Sequence, residues 1–216
     1  LLTKKELALR ACDCLQILYP KAECSLVYDR KKPYQLLFAV RLSAQCTDAR
    51  VNIVTKELFR KYDDLQDFAC ADITELENII KPCGFFRAKA SNIRDAARML
   101  INNFNGKIPS DMNDLLKLPG VGRKSANLIR GDIFRLPAIV ADTHCIRITN
   151  RLGLVSSENP VKVEKELIPL IPPQRSSDFC HRLVLFGRDI CRARNPDCKN
   201  CTMNSFCSSA LVDRIV

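Results

Sequence analysis

Apolar residues return every three or four positions along most of this chain, so the pattern predicts helices almost throughout. Leu36, Leu37 and Val40 follow Pro33, a residue suited to a first helical turn. Thr47-Asp48 breaks that pattern before Val51, Val54 and Leu58 resume it. Asp72 and Glu75 have capping-box spacing, with Leu76, Ile79 and Ile80 as the apolar face and Pro82 as the stop. Ile93, Ala96, Ala97, Leu100 and Phe104 form a longer stripe that ends at Gly106, the expected C-cap. Asn159-Pro160 opens a later helix and Pro172-Pro173 closes it. Ser177 or Asp178 is expected to cap the next helix, which carries Leu183, Val184 and Phe186. No alternating run is long enough for a strand, and seven glycines are few for the tight turns of an all-β chain. The predicted fold class is all-α. There is no repeat, low-complexity tract or Gly/Ser linker, so Leu136-Pro137 and the punctuated stretch from Pro20 to Tyr34 are the expected boundaries.

Charge narrows the partner. Lys and Arg number 34 against 24 Asp and Glu, a formal net charge of +10 over 216 residues. That balance suits a polyanion, of which nucleic acid is the commonest, although a merely basic protein would carry it too. No apolar run approaches the roughly 18–20 residues of a membrane span. No signal-peptide pattern is present, and a start at Leu1 rather than Met leaves room for an upstream segment.

Twelve cysteines in a chain of this size do not suggest a small disulfide scaffold. Cys12, Cys14, Cys24, Cys46, Cys70, Cys83, Cys145 and Cys180 are scattered and are expected to be small buried hydrophobes. Cys191, Cys198, Cys201 and Cys207 instead lie together with the spacing C-x6-C-x2-C-x5-C. Four thiolates so close in sequence can converge on one metal centre, and both structural zinc and a [4Fe–4S] cluster accept four cysteines. Arg188, Arg192, Arg194 and Lys199 make this loop basic.

Residues 118–126 read Leu-Pro-Gly-Val-Gly-Arg-Lys-Ser-Ala between two short helical patterns. Pro119 fixes a turn, while Gly120 and Gly122 are expected to allow close backbone approach and unusual dihedrals. The resulting hairpin presents N–H groups at a helix N-terminus, which makes a phosphate cradle to which Arg123 and Lys124 add charge. Such contacts set affinity and register without reading sequence. Asp142 precedes Thr143-His144-Cys145 and suits a helix N-cap. His144 and His181 suit structural roles.

Leu118 to Ala126 resembles the helix–hairpin–helix of the endonuclease III family of DNA glycosylases. Ala138-Ile139-Val140-Ala141-Asp142-Thr143-His144 resembles that family's Gly/Pro-rich loop and catalytic aspartate, with Ala141 where valine is common. Leu42 to Asp48 and the four-cysteine spacing match as well, so the resemblance spans nearly the whole chain. It implies two helical domains flanking a DNA-binding cleft: 26–136 with the hairpin, and a discontinuous cluster domain of 1–25 and 137–216. It implies a bifunctional base-excision glycosylase and abasic-site lyase that removes oxidised pyrimidines from duplex DNA.

By that resemblance Lys124 is the nucleophile, an amine that must be neutral to attack a sugar C1′ and form a Schiff base. Burial, the helix dipole and Arg123 are the influences expected to bring it there. Asp142 takes its proton and supports the cationic sugar. Gln45 fills the hole left by the extruded base, and Phe85, in Gly84-Phe85-Phe86-Arg87-Ala88-Lys89-Ala90, wedges from a second loop where leucine is common; a core aromatic is the other reading of Phe85. Asp48 is either a cap or a pocket residue. Leu118, Gly120, Gly122 and Arg123 would hold DNA backbone.

The family spacing also implies that Cys191, Cys198, Cys201 and Cys207 bind [4Fe–4S]. Asn195 stands where a DNA-contacting lysine is common. The expected setting is a monomer inside the cell, in the cytoplasm or nucleoid. Competing readings are a mismatch glycosylase for adenine, thymine or uracil, a non-catalytic iron–sulfur DNA-binding protein, and a zinc-stabilised module.

Overall fold

The computed structural model describes residues 2–212, among which every regular element is helical. The order is α1 (Lys4–Leu18), α2 (Tyr34–Ser43), α3 (Asp48–Lys61), α4 (Leu65–Cys70), α5 (Ile73–Ile80), α6 (Phe86–Phe104), α7 (Met112–Lys117), α8 (Arg123–Phe134), α9 (Thr143–Leu152), α10 (Pro160–Leu167), α11 (Ser176–Asp189) and α12 (Ser208–Val212). Short 3-10 turns cover Lys81–Cys83 and Pro173–Arg175. No described helix is long and apolar enough to cross a membrane.

Side-chain caps set many of these boundaries. Thr3 and Glu6 close a capping box on α1, and Asp64 and Asp67 close another on α4. Thr47, Asp111, Asp142 and Asn159 each accept from backbone amides of the turn that follows. Asp72 caps α5, but its box stays open because Glu75 is held by the Tyr62 hydroxyl at 3.0 Å and the Lys61 ammonium at 2.9 Å.

The α6 stripe ends as expected in the left-handed region, with both Asn105 and Gly106 at positive φ. Two boundaries differ from expectation. α10 ends at Leu167, before the paired prolines, and Pro173–Arg175 forms a 3-10 turn that runs into α11. Ser177 and Asp178 therefore lie inside α11, and Asp178 instead accepts from Arg182 at 3.2 Å.

The chain divides into two compact units, Cys24–Phe134 and the described part of Leu1–Glu23 with Arg135–Val216. In the first, α2 is buried at every position from Tyr34 to Val40, the pattern of a helix enclosed on all sides over its first two turns. Phe38 meets Phe68 with ring centroids 4.7 Å apart, and α6 packs over α4 and α5. The enclosed α2 carries Ala44-Gln45 at its end.

In the second unit α11 packs against α1 and α9. Gly187 lets α9 and α11 approach: a Cβ there would lie 2.6 Å from the His144 ring and 2.8 Å from Arg147. Of the eight scattered cysteines, Cys12, Cys83, Cys145 and Cys180 are buried, Cys14, Cys24 and Cys46 are half-buried, and Cys70 is exposed. The buried-hydrophobe expectation thus fits only part of the set.

Candidate active site

The hairpin is built from the core outward. Leu118 is 2% exposed, so its side chain anchors the turn and only its backbone faces the hairpin, where its carbonyl accepts from Val121 at 3.1 Å. The two glycines differ, against the symmetric expectation. Gly120 has φ +77°, and a Cβ there would lie 2.6 Å from Arg41 Nε and 2.8 Å from Asn92 Oδ1. Arg41 of α2 donates to Asn92 of α6 at 2.9 Å, so the hairpin rests on a fixed polar pair. Gly122 has an ordinary φ and nothing within 4 Å of a Cβ, and its carbonyl accepts from Ala126 to start α8. Its open face suits the approach of an outside group.

The contrast has a measurable consequence. Gly120→Ala is expected to destabilise the protein by about 1–3 kcal/mol through positive φ and the clash with Arg41. Gly122→Ala is expected to stay within about 0.5 kcal/mol of the parent in stability while weakening duplex binding. Denaturant melts and a binding titration on both variants check this. Equal stability losses would show that both glycines are structural.

Arg123 and Lys124 are the first two residues of α8, and both are exposed. The burial expected at Lys124 is therefore not found. The amides of a helix's first turn have no intrahelical acceptor and carry the positive end of its dipole, which favours an anion.

Asp142 lies in the other unit. The segment leading to it is buried from Ala138 to Ala141 and pinned to α11: Ala138 N donates to Ser176 Oγ at 2.9 Å, and Val140 N donates to Cys180 Sγ at 3.2 Å. Asp142 then caps α9 by accepting from Cys145 N at 2.8 Å. Its second oxygen lies 3.6 Å from His144 Nδ1. Burial holds His144 below the ordinary histidine range, although Asp142 pulls the other way. The buried Cys145 thiol is pushed well up by its hydrogen bond with Cys180 and by burial.

Gln45 is exposed, with φ 54°, and follows Ala44, the C-cap of α2. Phe85 is 68% exposed, with φ 48°, immediately before α6. That exposure removes the core-aromatic reading; Phe86 is the ring that packs inward. Asp48 is in the first turn of α3, where Thr47 is the cap, and its carboxylate accepts from the Ser25 hydroxyl.

Cys191, Cys198, Cys201 and Cys207 line one cavity of about 230 Å³, together with Ile148, Leu152, Phe186 and Met203. Burial pushes the Cys201 thiol up, and Cys191, Cys207 and Cys198 push it the same way. Among the described residues, no three His, Cys, Asp or Glu side chains gather closely enough to hold a single metal ion. Sequence reasoning missed the arginines behind this loop. Arg151 donates to Cys191 Sγ at 3.3 Å and to the carbonyls of Arg192 and Ala193 at 2.7 and 3.0 Å. Arg147 donates to the Cys191 carbonyl at 3.0 Å. Their place in α9, on the turns that carry Ile148 and Leu152, was the available signal. Arg188, Arg192, Arg194 and Lys199 are exposed.

Residues 38–173 match the model of the HhH-GPD superfamily of base excision DNA repair proteins. The chain is 43% identical to endonuclease III of Synechocystis sp. over 209 residues, covering 96% of this chain and 94% of that one. It is 44% identical to endonuclease III of Bacillus subtilis over 191 residues, covering 88% and 86%. Its structure matches, with a TM-score of 0.91, 41% identity and full coverage of both chains, an endonuclease III in a non-covalent DNA complex. The same values hold for an endonuclease III trapped as a covalent intermediate with DNA.

Proposed function

This chain belongs to the endonuclease III family of HhH-GPD base-excision repair proteins, bifunctional DNA glycosylases and abasic-site lyases, and we propose that it removes oxidised pyrimidines from duplex DNA with Lys124 as nucleophile and Asp142 as its proton acceptor. The observation that carries this reading is the exposed Lys124 amine in the first turn of α8, at the head of a hairpin whose Gly122 face is open.

The chemistry follows from those groups. Hairpin amides and Arg123 hold backbone phosphate, which fixes register without reading sequence. Gln45 and Phe85 enter the stack as the damaged nucleotide leaves it. Lys124 Nζ gives a proton to Asp142 and attacks C1′. The C1′–N bond breaks, and its electron pair leaves with the base, which takes up a proton. The amino sugar opens to an imine. Loss of a C2′ proton then expels the 3′ phosphate, and water hydrolyses the imine to return Lys124. Asp142 also faces the positive charge that develops on the sugar, as a carboxylate does in glycoside hydrolysis.

Cys191, Cys198, Cys201 and Cys207 would hold a [4Fe–4S] cluster. A single zinc draws four sulfurs to about 2.3 Å from one point, whereas these thiols are spread around the lining of a larger cavity that they share with Ile148, Leu152, Phe186 and Met203. Bound there, the cluster supplies a structural cross-link to the basic loop. A substrate of chromosomal DNA sets the workplace in the cytoplasm or nucleoid.

A duplex with one thymine glycol tests the reading. Incubation is expected to release the base and cut the strand 3′ to the site without alkali. Base release that leaves the strand intact until alkali treatment would mean a monofunctional, mismatch-type glycosylase.

A further inference from the structure

Lys89 is a helix residue with a long cationic side chain, yet it is 1% exposed. Its ammonium donates to three carbonyls: Leu42 at 2.8 Å, Ala44 at 2.8 Å and Cys83 at 2.9 Å. Burial pulls Lys89 below the ordinary lysine range. The three acceptors engage all three N–H groups of an ammonium, whereas a neutral amine has only two to give.

The three carbonyls come from two separate places in the sequence. Leu42 and Ala44 are at the C-terminal end of α2, where carbonyls lack helical partners and a cation is favoured. Cys83 ends the 3-10 turn before α6. The next residue after Ala44 is Gln45, with φ 54°, and two residues after Cys83 is Phe85, with φ 48°. A side chain other than glycine pays about 1 kcal/mol or more for that conformation and holds it only where its surroundings over-determine it. Lys89 supplies such a constraint to both loops at once.

We propose that Lys89 is a positioning residue: it ties the Gln45 loop to the Phe85 loop, so that both side chains are presented to the duplex in fixed register. This rests on the reading of Gln45 and Phe85 as the residues that fill the opened stack. Lys89 acts through them and touches no reacting atom.

The test compares two reactions of the same protein. Base release from a thymine-glycol duplex requires the stack to be opened, whereas β-elimination at an abasic site in a single strand does not. Lys89→Met keeps the stem and removes the donors. It is expected to slow the duplex reaction by about 30-fold or more and to leave the single-strand reaction within about threefold. It is also expected to weaken discrimination between adenine and guanine opposite the lesion. Equal losses in both reactions would mean a general structural role and overturn the proposal, as would no loss in either.

Lys89→Arg guards against a failure of the methionine variant to fold. Its planar fork keeps the charge but cannot match three converging carbonyls. An intermediate loss, confined to the duplex reaction, is expected. Wild-type rates in both reactions would overturn the proposal.

The double variant Gln45→Ala/Phe85→Ala separates the two levels. It is expected to lose duplex activity, and adding Lys89→Met should cost less than about threefold more. If the double variant keeps full duplex activity, the reading of the two wedges fails. If it loses activity while Lys89→Met does not, only the positioning role fails.

Discussion

Lys124→Ala is expected to give no borohydride-stable adduct with duplex DNA carrying thymine glycol or an abasic site, while the parent protein is trapped in good yield. β-Elimination should fall by about 10³-fold or more, the scale of removing a catalytic group that others depend on. The fold should be untouched. Lys124 is exposed in the first turn of α8, and alanine is the best helix former. DNA binding should weaken modestly and its salt slope should drop by about one, since one cation is lost while the hairpin amides remain. Efficient trapping by Lys124→Ala would remove it as the nucleophile. Asp142→Asn provides the companion measurement. Asparagine caps a helix as well as aspartate does, so the bond from Cys145 N should survive while the proton acceptor is lost. Base release should slow by about 10²–10⁴-fold. Unchanged release would leave Asp142 as a cap alone.

What was legible in the sequence was local. Caps such as Asp142 and Asn159, the stop at Pro82 and the left-handed end at Gly106 depend on a few neighbouring residues, and the structure has each of them. What was not legible depends on partners distant in sequence. Gly120 and Gly122 look equivalent in the string, and only Arg41 and Asn92, from two other helices, make one crowded and leave the other open. Ser177 and Asp178 fail as caps because the 3-10 turn already delivers the chain into α11. Phe85 could not be assigned to core or surface until its neighbour Phe86 was seen to take the inward place. Lys89 left a trace: the stripe of Ile93, Ala96, Ala97 and Leu100, carried one turn back, reaches Lys89 and Ala90. A lysine on the buried face of a helix signals a set of acceptors waiting for it.

Loss of the proposed cluster should have the second large effect. The parent protein is expected to be yellow-brown, with broad absorbance near about 400 nm and about four irons per chain. Cys198→Ser and Cys207→Ser should lose the colour and the iron together. Between residues 191 and 207 only Met203 is buried, so the loop has almost no core of its own. It is held instead by the donors of Arg147 and Arg151 and by the bond from Asn204 to the Cys198 carbonyl. Those bonds fix its base but leave the side of the cavity lined by the four thiols to whatever they bind. On a scale of about 24 cal/mol per Å³ for a closed cavity, leaving the space of about 230 Å³ to water costs at most about 5.5 kcal/mol. A fall in Tm of several degrees is expected, up to about 11–22 °C at that ceiling for a chain of this size. Arg151 also donates to Cys191 Sγ at 3.3 Å, a bond that a cluster-bound thiolate would strengthen. A colourless parent protein with one zinc per chain would replace the cluster with a single ion. Unchanged melting after loss of iron would show that the arginines alone are enough to hold the loop.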